Sequence, residues 1–174
     1  MRSRPAKSSP VPRAPASLAL LVLLTALLFA PAADAAVSSC TVSATGPAFG
    51  NYNPMQGTSL TTTGTVTTVC VVTSHRNTIT ISLSPGHSGN FARQMTTLFG
   101  GTTYTLSYNL FLDAANTQIW GDGTGGSVLD TVTLTRHGNN NTITTDSTVY
   151  GTILALQNPV PGAYTDTIVV SVNF

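Results

Sequence analysis

From Cys40 to Phe174 the apolar residues of this chain recur at every second position in short runs, and each run is closed by glycine, proline or asparagine. A period of two belongs to a strand with one buried face, whereas a helix repeats near 3.6. Alternating or β-rich runs lie at 40–45, 48–52, 64–72, 78–84, 103–112, 130–135, 148–156 and 164–174. Between them Gly57, Pro85-Gly86, Gly100-Gly101, the stretch 121–126, the stretch 138–141 and Pro159-Val160-Pro161-Gly162 supply the turn formers that strand connections need. After residue 35 no window carries a helical apolar stripe, although 113–116 could make one helical turn. The pattern predicts an all-β fold, an immunoglobulin-like antiparallel β-sandwich. Threonine agrees with it: 29 of the 139 residues after position 35 are Thr, a type suited to a pleated, half-exposed surface. A Thr-rich disordered coil would lack the recurrent apolar partners. There is no internal repeat, which excludes the array architectures.

The last run, YTDTIVVSVNF, places Ile168, Val170, Val172 and Phe174 on one face and Thr167, Val169, Ser171 and Asn173 on the other. A terminal strand with such an apolar face is expected to lie in the sheet. Its free edge then needs a partner, either an earlier strand or another chain.

The first residues read differently. Arg2, Arg4, Lys7 and Arg13 precede an apolar run at 18–29, interrupted only by Thr25, and Ala33-Asp34-Ala35 offers a small-x-small cleavage site. A helix spanning a bilayer needs roughly 20 apolar residues, so this run is too short and reads as a signal peptide over 1–35. An uncleaved anchor is the alternative, since Ala30 to Ala33 could lengthen the run, but Pro31 argues against it. Cleavage would leave one domain, 36–174, with no stable membrane span, of a size that supports one hydrophobic core.

Within 36–174 three arginines (Arg76, Arg93, Arg136) stand against five aspartates (Asp113, Asp122, Asp130, Asp146, Asp166), 3 − 5 = −2, with no Lys or Glu. Three scattered arginines do not make a phosphate-binding surface, so nucleic-acid binding is excluded as an expectation. Cys40 and Cys70 both lie in the exported part, where an oxidising compartment favours a disulfide between them. Two buried free thiols are the alternative. A zinc site is weaker, because neither Cys has a Cys or His at ligand spacing.

Candidate chemistry is sparse. Residues 121–126 (GDGTGG) match a G-x-G-x-x-G string, but a dinucleotide site needs a helix after it and none is predicted, so the segment reads as a glycine-rich loop. Calcium binding through Asp113, Asp122 and loop carbonyls fits no known acidic spacing. His87-Ser88 is the only adjacent His-Ser pair, and it lacks a nucleophile-elbow pattern. His75, His87 and His137 lie far apart at predicted strand ends, and the aspartates form no glycosidase-like pair on any evidence of pattern. Trp120, Tyr104 and Tyr108 could make a ligand platform, though core packing is the commoner fate of such side chains. No enzyme activity, cofactor or metal is expected.

Four segments together resemble the spore coat protein U domain family, which includes subunits of archaic chaperone–usher pili. They are Cys40-Thr41-Val42 followed by Phe49-Gly50-Asn51-Tyr52; residues 64–70; Tyr108-Asn109-Leu110-Phe111-Leu112-Asp113-Ala114-Ala115 leading to Trp120-Gly121-Asp122-Gly123; and Pro161-Gly162-Ala163-Tyr164-Thr165-Asp166-Thr167. The resemblance implies an immunoglobulin-like domain that is incomplete, lacking its last strand. Such a domain is held by a periplasmic chaperone, passed to an outer-membrane usher and completed by an extension from a neighbouring pilus or coat subunit, a form of β-augmentation. It further implies that Ile168, Val170, Val172 and Phe174 help line the acceptor groove, and that Cys40 and Cys70 form the family's disulfide between the first and second strands.

A donor strand needs on the order of ten extended residues at about 3.3 Å each. Cleavage after Ala35 would leave only Ala36, Val37, Ser38 and Ser39 before Cys40. The expectation is therefore an exported structural subunit of a surface pilus or spore or cell coat, placed at a tip or other terminal position, or else a coat component that does not exchange strands. The alternative is a self-complete secreted coat protein or an adhesin-like binding module whose loops at 121–126 and 138–141 grip a ligand.

Overall fold

The computed structural model of the chain describes residues 36–174; the expected leader, 1–35, lies outside the described residues. Eight strands run in chain order as β1 (Val37–Thr45), β2 (Leu60–Val72), β3 (Arg76–Leu83), β4 (Gln94–Phe99), β5 (Thr102–Phe111), β6 (Asp130–Thr135), β7 (Thr142–Ile153) and β8 (Val170–Asn173). One turn of 3-10 helix, Gly86–Ser88, follows β3. The strands form two antiparallel sheets: β1-β2-β7-β5-β4 and β6-β3-β8. The fold is all-β and compatible with an immunoglobulin-like sandwich.

The two-residue period decides which face each strand buries. In β2 the side chains of Val66, Thr68, Cys70 and Val72 are buried and those between them face outward. Ile79, Ile81 and Leu83 of β3 meet them from the second sheet, with Leu106, Tyr108 and Leu110 of β5 and Val149 and Ile153 of β7 completing the core. Trp120 lies within this core, fully buried, and its indole N–H donates to the Ile81 carbonyl oxygen at 2.9 Å. That bond lets a large aromatic be buried without leaving its polar edge unpaired. The β4–β5 hairpin turns at Gly100-Gly101, both with positive φ (57° and 82°), the backbone a tight two-residue hairpin demands.

Three elements differ from the sequence expectation. Residues 48–52 were expected to be β-rich, yet they are not a strand: Phe49 and Tyr52 pack against the core while no strand pairs with their backbone among the described residues. β4 was not expected; of its six side chains only Met95 is fully buried, and its tip residues Leu98 and Phe99 are exposed, so the alternation is too weak to read. The run at 164–174 is split. Thr165 makes an isolated bridge to Thr96 on β4, and only from Val170 does the chain pair with β3, so the segment crosses from the edge of one sheet to the edge of the other. The stretch 113–116 is a turn, closed by Asn116 N–H donating to the Asp113 carbonyl oxygen at 3.0 Å.

Candidate functional site

Between the end of β1 and the segment that crosses to β8 the core is open, and the opening is a groove of about 1120 Å³. Its floor is made of core side chains: Val66, Leu83, Met95, Leu106, Leu110, Val149 and Ile153, with Tyr108. One bank is the end of β1 and the unpaired segment that follows it, residues 44–54; the other is the crossing segment from Pro159 through Asp166, with Ile168 and Val170.

The first bank is held largely by side chains, the second also by the backbone bridge between Thr165 and Thr96. On the first, Phe49 sets its ring edge-on to Tyr108 with centroids 6.1 Å apart. It can do so because Gly151 has no side chain: a Cβ there would come within 2.8 Å of Phe49 and 2.9 Å of Pro47. Tyr52 then donates its hydroxyl to the Leu154 carbonyl oxygen at 3.0 Å and accepts Gln157 N–H at 2.9 Å. On the second bank, Tyr164 donates to the Val160 carbonyl oxygen at 3.0 Å.

β8 lies at the edge of its sheet, paired with β3 on one side. Ser84 N–H donates to the Val169 carbonyl oxygen at 2.9 Å, and Val169 N–H donates to the Ser84 hydroxyl oxygen at 2.9 Å. In an antiparallel ladder successive residues turn their backbone polar groups to opposite sides, so with Val169 facing β3, the N–H and C=O of Val170 and Val172 face the free edge. Ile168, Val170 and Val172 are half-buried and pack on the core; of the four expected groove residues Ile168 and Val170 line the groove, whereas Val172 and Phe174, the latter 59% exposed, are not part of its lining.

The polar groups near the groove are few and tightly held. Asp166 accepts the Tyr108 hydroxyl at 2.7 Å on one oxygen, and on the other the N–H groups of His87 (2.9 Å) and Thr167 (2.7 Å). Burial first, and then the hydrogen bond to Asp166, push the Tyr108 phenol well above its ordinary range. Behind it sits Arg93, fully buried, which donates to the carbonyl oxygens of Ser84 (2.9 Å) and Trp120 (2.7 Å) and to the side-chain oxygen of Asn109 (2.9 Å). Its guanidinium also lies 5.1 Å from the centre of the Phe91 ring. Burial lowers the Arg93 pKa, while Tyr108, Asp166 and Asp122 act in the opposite direction. In the sequence Arg93 is only one of three scattered arginines; nothing in its neighbours marks it as the polar centre of the core.

The remaining candidates are dispersed. Cys40 and Cys70 form a disulfide at directly paired positions of β1 and β2. Trp120 and Tyr108 are buried, whereas Tyr104 is at the β4–β5 hairpin, edge-on to Phe99, so the three do not form a platform. Residues 121–126 form a loop with positive φ at Gly123, Gly125 and Gly126 and no helix behind it. The Asp122 carboxylate accepts the N–H and hydroxyl of Thr124, and the Asp113 carboxylate accepts the N–H groups of Thr117 and Gln118. Both acids are held below the usual carboxylate range by these bonds. Among the described residues no three His, Cys, Asp or Glu side chains gather as a metal site, and no helix is long and apolar enough to cross a membrane.

Comparison with known proteins agrees with the motifs. The chain is similar to the crystal structure of the E. coli Hda pilus minor tip subunit, HdaB, at 12% identity over 76% of this chain and 79% of that one, with a TM-score of 0.37. Comparison with curated proteins finds no match. The family model of the Spore Coat Protein U domain matches residues 25–171, most of the chain, including every strand described except the last two residues of β8. With its paired cysteines, its buried tryptophan and its terminal alternating strand, this chain belongs to the spore coat protein U domain family.

Proposed function

We propose that this protein is an exported structural subunit of a surface pilus or coat, and that its groove receives an extended strand, first from a periplasmic chaperone and then from a neighbouring subunit. One observation carries the reading: the apolar core lies open between residues 44–54 and 159–170, beside the free edge of β8. A strand laid there would pair with backbone groups of β8 and cover Leu106, Leu110, Val149 and their neighbours, satisfying hydrogen bonds and burying apolar surface together. Export is proposed with cleavage of residues 1–35, and the role is structural, with delivery by an outer-membrane usher.

A terminal position in the fibre follows from the same cleavage. The Ala36 carbonyl oxygen already accepts Thr73 N–H at 3.0 Å, and Val37 is buried and paired with Val72. A mature chain starting at Ala36 would have its first residues built into β1 and would accept a strand without donating one. Mass spectrometry of the mature N-terminus tests this, and a start well before Ala30 would count against it.

The experiment for the main reading is periplasmic expression of the full chain with and without a chaperone of the chaperone–usher type. Soluble yield that depends on the chaperone, with a 1:1 complex on purification, is the expected result. A stable monomer obtained without any chaperone would overturn it and leave a self-complete coat protein or binding module.

A further inference from the structure

Among the residues that line the groove, Asp166 is the one carboxylate, and the lining holds no Lys, Arg or Glu. Its position is fixed from several directions. The Tyr108 hydroxyl holds one oxygen, while His87 N–H and Thr167 N–H hold the other. Gly86, with φ of 73°, leaves the space the carboxylate occupies, since a Cβ at that position would stand 2.3 Å from the Tyr108-bonded oxygen. The nearby Arg93 makes no hydrogen bond to it; its guanidinium donates instead to Ser84, Asn109 and Trp120. A carboxylate has room for about four hydrogen bonds, and three are used.

We propose that the strand filling this groove, an N-terminal extension of a neighbouring subunit, carries one basic side chain among its inward-facing apolar residues, placed to meet Asp166, and that this pairing fixes the strand's register. The inference rests on the strand-acceptor reading above. An apolar residue over Asp166 would strip water from a carboxylate without replacing its partner, which is costly. A lysine or arginine there replaces the lost water with an ion pair, and the low-dielectric floor strengthens it. The rest of the groove cannot specify register as sharply. Its floor is a continuous apolar surface, and sliding the strand by two residues would present the same apolar face to it. Sliding by two with a single basic residue would instead leave Asp166 unpaired and bury the base against Val or Leu. One polar pair in an apolar seam setting alignment is the logic by which a buried polar residue fixes the register of a coiled coil.

The test uses the exported protein, alone or as its chaperone complex, and synthetic peptides of about ten residues that alternate apolar and polar positions, with one lysine moved along the apolar face. The expected result is that one lysine position binds at least about tenfold more tightly than the all-apolar peptide and than lysine elsewhere. That advantage should shrink at high salt and vanish in Asp166→Asn. Equal binding of all peptides, or an advantage that survives in Asp166→Asn, would overturn the proposal while leaving the groove as an acceptor. Failure of every peptide to bind would overturn the acceptor reading itself. Should Asp166→Asn fail to fold, the wild-type protein still decides, by replacing the peptide lysine with norleucine and with glutamate, which should lower affinity in that order. Loss of chaperone co-purification in Asp166→Asn with an unchanged lysine preference would assign the contact to the chaperone's strand and overturn the assignment to a subunit.

Discussion

The guanidinium of Arg93 donates to the backbone oxygen of Trp120 across 2.7 Å, and both residues are fully buried. The same guanidinium reaches Ser84 and Asn109, tying the ends of β3, β5 and the 120s loop into one network. Arg93→Ala would leave the Ser84 and Trp120 carbonyl oxygens without this donor, while Asn109 would keep Leu110 N–H. The expected loss is about 3–5 kcal/mol, read from denaturant unfolding of the purified protein. Arg93→Lys should recover little of it, because an ammonium cannot present the same planar fork.

The Cys40–Cys70 bridge closes a loop with a sequence separation of 30 and staples the edge strand β1 to β2. Replacing both cysteines by serine should lower stability by about 3–4 kcal/mol on the chain-entropy account. Comparing unfolding midpoints of the oxidised protein, the reduced protein and the double variant checks this, and the last two should coincide closely.

Gly86 and Gly89 have nearly the same positive φ, 73° and 70°, but different surroundings. A Cβ at Gly89 meets open space, whereas one at Gly86 strikes the Asp166 carboxylate. Gly89→Ala should therefore cost only the left-handed strain, about 1–2 kcal/mol. Gly86→Ala should cost more and should also disturb the Tyr108–Asp166 bond, visible as a changed Tyr108 signal by NMR.

Tyr108 gives a pH signature. Its folded pKa is raised above the unfolded value of about 10, chiefly by burial. The neutral phenol's contribution is fully present below the unfolded pKa and is lost as pH rises toward the folded one, because the unfolded state releases its proton first. Stability should fall with pH in the alkaline range above about 10. Tyr108→Phe should flatten that decline, as measured by unfolding at a series of alkaline pH values.

Asp113 gives the opposite sign. Backbone N–H from Gln118, with Thr117, holds its folded pKa below the ordinary value. Its contribution is present above the unfolded pKa of about 3.9 and is lost as pH falls through the folded value. An NMR titration should find the Asp113 midpoint depressed, and Asp113→Asn should remove that acid-sensitive component.

Much of the fold could be read along the chain, because a two-residue period is a local property. The strands at 64–72, 78–84 and 103–112 were expected close to where β2, β3 and β5 lie, and 130–135 coincides with β6. Strand β4 could not be read, since Met95 alone of its six side chains is buried and its tip faces solvent, which leaves too little alternation. Residues 48–52 misled for another reason: Phe49 and Tyr52 are types common in strands and pack on the core, yet packing does not supply a ladder partner.

The sequence by itself determined the all-β class, the apolar face of the last run and the motifs of the family, all of which follow from residue types at fixed local spacing. The tertiary structure alone decided that the last run leaves the edge of β4 at Thr165 to join β3, that Asp166 meets Tyr108 from 58 residues away, and that Arg93 lies at the centre. Those outcomes depend on which distant strands pack together and which polar groups are thereby removed from water. Neither quantity is written in any single stretch of the chain.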